Sequence, residues 1–101
     1  MSGGHFDYNQ YKIGYIADEV EQLIIDNDST EINEYGDRKG SHFTPETIAK
    51  FKKGLDILRK AQIYAQRIDW LVSGDDGENY FHSRLKNDLM EWAIEDDIKF
   101  E

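Results

Sequence analysis

The sequence has a single proline, Pro45, and its neighbours constrain the fold more than any other feature. Thr44 stands before it and Glu46 after it. A threonine hydroxyl satisfies a free backbone N–H at a helix start, proline suits the first helical position, and an acid there faces the positive end of the helix dipole. No second proline interrupts the chain beyond it, so the spacing predicts one long helix from Pro45 to about Val72. Its apolar residues form two stripes: Phe51, Leu55, Leu58, Ala65 and Val72, then Ile57, Ala61, Tyr64, Ile68 and Leu71. Two stripes predict a broad buried face, as in the central helix of a small bundle. Gly54 interrupts the run, either as a tolerated cost or to admit the first helix closely.

Shorter helices are expected on either side. Ile13, Ile16, Ala17, Val20, Leu23 and Ile24 trace one face, predicting a helix from about Tyr8 to Ile25. Asp26, Asn27, Asp28 and Ser29 end it, because short polar side chains compete for backbone hydrogen bonds. Residues 28–43 read as a loop, with a weak strand signal at Glu31–Tyr35. Ser73-Gly74-Asp75-Asp76-Gly77 reads as a turn, with Gly74 at the left-handed position that ends a helix. A third helix comes next, with Phe81, Leu85, Leu89, Trp92 and Ala93 on one face. Residues 95–101 read as a frayed acidic tail in which Phe100 is a candidate for docking. The expectation is a single all-α domain over 1–101. It is a three-helix bundle with a Gly-rich N-terminal arm (1–7) packed on it. About twenty apolar residues make a marginal core at this size, so a homodimer is expected to bury more.

Charge is distributed in blocks. The net charge is −9, yet residues 18–37 hold eight acids and no base, and residues 38–67 hold eight bases against two acids. Residues 69–101 hold ten acids against three bases. A basic middle helix between acidic neighbours either pairs with both or keeps a basic patch for an anionic ligand. Net acidity disfavours a plain nucleic-acid binder, since phosphate contacts need a basic surface. The absence of cysteine excludes a disulfide scaffold and thiolate metal sites. No apolar run approaches a membrane span and no leader peptide is visible, which is consistent with a cytoplasmic location.

Candidate binding residues cluster in two segments. In the first, His5, Asp7, Tyr8, Tyr11 and Lys12 come after the Gly3-Gly4 pair. Tyr8, Tyr11 and Tyr15 are spaced to share a helix face, where rings either pack or stack a planar ligand. Lys12 lies beside them as an anion partner. In the second, Arg67, Asp69 and Trp70 crowd the end of the middle helix, and guanidinium suits phosphate or carboxylate. Asp75, Asp76 and Glu78 are oxygen donors for a hard cation, but their spacing does not match an EF-hand loop, and a solvated acidic turn is the simpler expectation. His5, His42 and His82 form no ligand motif. The P-loop, dinucleotide fingerprint, HExxH and serine-elbow patterns are all missing. The paired-glutamate pattern of all-helical nucleotide pyrophosphatases is also not reproduced. No catalytic residue, metal site or cofactor is therefore assigned.

Ser2-Gly3-Gly4-His5-Phe6-Asp7-Tyr8, running on through Gln10-Tyr11-Lys12-Ile13 to Ile16-Ala17-Asp18-Glu19-Val20-Glu21, resembles a group of short uncharacterised phage and bacterial proteins. Ala65-Gln66-Arg67-Ile68-Asp69-Trp70-Leu71 with Ser73-Gly74-Asp75-Asp76 is similar to a second segment of that group. The resemblance implies phage or mobile-element origin and carries no activity that maps onto particular residues. The expected function is that of a non-catalytic, acidic regulatory protein acting on a host or phage protein partner. An acidic helical surface of this kind can also mimic nucleic acid and occupy a basic groove. The alternative is a small-anion or nucleotide binder using the N-terminal aromatics and Arg67.

Overall fold

A computed structural model describes residues 5–32, 34–37 and 39–100, the side chains of 99 and 100 excepted. It is all-α, with α1 at Gln10–Asp26, α2 at Pro45–Val72 and α3 at Glu78–Phe100. The expected start of α2 is present in detail. Thr44 Oγ1 accepts from the Thr47 backbone N–H at 3.3 Å, with Pro45 in the first turn. Its end is a Schellman motif: Asp75 N–H donates to Trp70 C=O at 2.9 Å and Gly74 N–H to Leu71 C=O at 3.2 Å. Gly74 takes the left-handed φ of 84° that this motif needs.

The helices form the expected three-helix bundle, opened into a layer. Both α1 and α3 pack on α2 and, among the described residues, not on each other. Ala17, Ile24, Leu55 and Trp92 make the buried core, with Val20, Ile48, Phe51, Leu58 and Ile63 packed around it. The molecule measures 50 × 30 × 17 Å. Its surface is 7297 Å², against about 5,900 Å² for a compact monomer of its mass.

Several local expectations are corrected. Asp7 and Tyr8 have positive φ values of 52° and 63°, so α1 begins at Gln10 and Tyr8 is not on its face. Among the described residues of the 31–35 segment, Ile32 forms one isolated bridge and none is in a strand. Helix α3 continues through Phe100, so 95–100 is not frayed; the Phe100 side chain lies outside the described residues, as do residues 1–4 of the arm. Gly54 has nothing within 4 Å of an added Cβ and makes no close approach. The close approach is at Gly14, where a Cβ would come within 2.7 Å of the Gln62 amide.

The largest correction concerns the second stripe of α2. Helix α1 covers one flank of α2 and α3 another, and both leave Ile57, Ala61, Tyr64 and Ile68 facing solvent.

The 28–43 loop is held at its ends. The buried Asn27 side chain donates to Phe43 C=O at 3.1 Å and accepts from Phe43 N–H at 2.8 Å. Gly40 is seated against backbone: a Cβ there would meet the carbonyl oxygens of Ser29, Asp26 and Asn27 at 2.5, 2.7 and 2.8 Å. Closed ends and a surface-exposed tip define an Ω-type loop.

Candidate functional site

The two candidate segments meet only in part. His5 N–H donates to Ser73 Oγ at 3.0 Å, and Phe6 N–H donates to Asp69 Oδ1 at 2.8 Å. The buried Asp69 carboxylate thus tethers the chain just before α1 to the end of α2. Tyr8 and Tyr11 lie side by side with ring centroids 6.1 Å apart, and both are largely exposed. Lys12 and Asp7 are exposed beside them. One helical turn deeper, Gln10 Nε2 donates to Gln66 Oε1 at 3.2 Å.

Arg67 and Trp70 belong to a different place. The Arg67 guanidinium lies 4.7 Å over the Trp70 ring. Its Nε donates to Asp88 of α3 at 2.6 Å, and its Nη1 is 3.7 Å from Asp76. Arg84 adds a second cation to Asp76 at 3.5 Å. A mostly buried guanidinium between two carboxylates is already neutralised, so Arg67 does not face the N-terminal aromatics as a spare cation. The same pairing takes Asp76 out of any cation site. Among the described residues no group of His, Asp and Glu is placed to hold a metal.

Charge therefore joins the helices, as the block pattern suggested. Arg59 reaches Asp18 at 2.8 Å and Glu21 at 3.7 Å on α1, and lies 5.9 Å over Trp92 of α3. Trp92 Nε1 donates to Asp56 Oδ1 at 2.9 Å, and Lys60 pairs with the other oxygen of Asp56 at 3.0 Å. Partial burial works against the Asp56 carboxylate, but the indole N–H and Lys60 outweigh it and hold its pKa below the usual value.

Arg59 marks one side of the layer, and helix geometry then places the rest. Residues two apart on a helix point about 200° apart. Ile57 lies two before Arg59, Ile16 two before Asp18, and Leu23 two after Glu21, so all three turn to the opposite side. Ile57 continues as Ala61, Tyr64 and Ile68 at steps of four, three and four, one exposed row along α2. Ile16 and Ile57 remain 53% and 55% exposed. On the same side, Tyr64 and α3 residues Leu85, Leu89, Met90 and Ala93 line a groove of about 570 Å³ between α2 and α3. The acids Glu91 and Glu95 line the depression on the Arg59 side with Trp92.

One side thus carries the exposed row of α2, and the other carries Glu91 and Glu95 beside Arg59. The sequence held a signal for this, the second stripe of α2, but a stripe does not say whether a partner helix exists to cover it.

No protein-family model matches the chain, and neither a curated protein nor a solved structure matches it. No helix among the described residues is long and apolar enough to cross a membrane.

Proposed function

We propose that this chain is a non-catalytic binding protein of phage or mobile-element origin that acts in the cytoplasm by engaging a host protein through its apolar side. The observation that carries the proposal is the unbroken exposed row Ile57, Ala61, Tyr64 and Ile68, joined on α1 by Ile16 and Leu23. Isolated exposed apolar residues are ordinary, but a continuous row of them along one helix marks a surface that another protein covers.

The small-anion reading has less support. It needs a spare cation beside the aromatic arm, and Arg67 is held by Asp76 and Asp88. A cavity of about 470 Å³ does lie at the arm, lined by His5, Phe6, Asp7 and Gln10 among others, but neither Lys12 nor any other lysine or arginine lines it.

Affinity capture from bacterial lysate, with proteins identified by mass spectrometry, tests the proposal. The wild-type chain should retain one saturable partner at low and moderate salt. Ile16→Asp and Ile57→Asp should each lose it while keeping the helical circular-dichroism signal. A wild-type chain that retains nothing at either salt sinks the idea. So does retention that both substitutions leave intact.

A further inference from the structure

We infer that the groove between α2 and α3 receives an acidic amphipathic helix of the partner protein, an inference that rests on the protein-binding reading above. The floor of the groove is apolar, built from Tyr64, Leu85, Leu89 and Met90. The charged side chains that line it are basic, Lys86 on α3 and Lys60 on α2, the latter also paired with Asp56, and His82 stands near Lys86. Lys53 lies on α2 two turns before Lys60, extending the same basic edge. No acid lines this groove, although the chain as a whole carries a net charge of −9.

A furrow between two packed helices takes the ridge of a third helix, and its flanking charges select what flanks the incoming ridge. The complement here is an apolar stripe at helical spacing with Asp or Glu on both sides. A second copy of this chain is disfavoured at this surface, because face-to-face pairing would set Lys60 and Lys86 of two copies against one another. A bilayer is flat on this scale and would touch the rims while leaving the floor uncovered.

The probe is a synthetic helical peptide with leucines at i, i+3, i+4 and i+7 flanked by glutamates, followed by fluorescence anisotropy against the full chain. A control peptide keeps the leucines and replaces each glutamate with lysine. The glutamate peptide should bind saturably, and the lysine peptide should bind at least about tenfold more weakly. Lys86→Glu, at an exposed position on α3, should weaken the glutamate peptide about tenfold and strengthen the lysine peptide. Tyr64→Ala should weaken both about tenfold by removing part of the apolar floor. Equal binding of the two peptides overturns the inference. So does no binding, or binding that both variants leave unchanged. Dimers in sedimentation that Tyr64→Ala abolishes would assign the groove to a second copy, and vesicle binding with phosphatidylserine lost in Lys86→Glu would assign it to a membrane. Either result also overturns it. If the peptides fail while Ile16→Asp still abolishes partner capture, the groove assignment falls and the binding function stands.

Discussion

Two glycines carry opposite consequences at the scale of single residues. Gly40 is pressed against three backbone carbonyls at 2.5–2.8 Å, and backbone cannot swing aside as a side chain can. Gly40→Ala should therefore destabilise the fold by about 1–3 kcal/mol. Gly54 sits inside α2 with open space where a Cβ would go. Gly54→Ala should stabilise by about 0.5–1 kcal/mol, through helix propensity and a less free unfolded chain. Urea denaturation of the two variants beside wild type checks both signs together. From sequence, Gly54 is a helix interruption that is either tolerated or a close approach, and Gly40 is a loop glycine with no sign of one. A glycine's role depends on what approaches it, and the approach at Gly40 is made by residues more than ten positions earlier.

Asp56 gives a second residue-scale prediction, in pH. Its folded pKa is below the ordinary 3.8 because the Trp92 N–H and Lys60 outweigh partial burial. A depressed carboxyl stabilises the fold above its unfolded pKa, and the benefit disappears as pH falls through the folded value. The stability difference between wild type and Asp56→Asn should thus be widest near neutrality and close below pH 3.8. Denaturation midpoints at neutral pH and at about pH 3 measure it. A difference that is constant across that span would remove the carboxylate from the account.

At the scale of elements, α3 is the least secured helix. Among its described side chains Trp92 is the one that is buried; it joins the core with Leu55 and holds Asp56 through its indole. The Arg67–Asp88 pair adds one further tie. By contrast α1 meets α2 through Gly14, Ala17 and Ile24, through Gln10 on Gln66, and through Arg59 on Asp18. Trp92→Ala should cost about 3–5 kcal/mol. It should also loosen the helices unequally: amide exchange in α3 should speed up far more than in α1. Uniform loss of protection would mean that all three helices unfold as one unit.

The helices themselves were legible, because Thr44-Pro45-Glu46, Gly74 and the apolar spacings are local signals. The partnering of α2 was legible through charge, since Arg59 and Arg67 meet the acidic helices on both sides. The expected joint site of Arg67 with Tyr8 and Tyr11 does not form. Positions 67 and 69 are two apart on a helix, so their side chains diverge: Asp69 turns to the arm and Arg67 to α3.

For the whole molecule, the missing packing between α1 and α3 sets the shape. Three helices that all touch make a rounded bundle. Here the outer two are parted by α2, and the Cα radius of gyration is 16.9 Å, against about 13 Å for a compact chain of this length. The cost is a large exposed apolar side, which a free monomer gains nothing from and a partner would cover. Small-angle X-ray scattering of the dilute chain distinguishes this layer from a closed bundle. A radius near 17 Å is expected, unchanged on further dilution and little changed by moderate salt. The ion pairs of Arg59 and Arg67 join each outer helix to α2, not the outer helices to one another, so screening them cannot bring α1 and α3 together. A radius near 13 Å would mean that α1 and α3 close over α2 in solution and bury Ile57, Tyr64 and Ile68. The apolar side would then be core, and both the binding surface and the groove assigned to it would go with it.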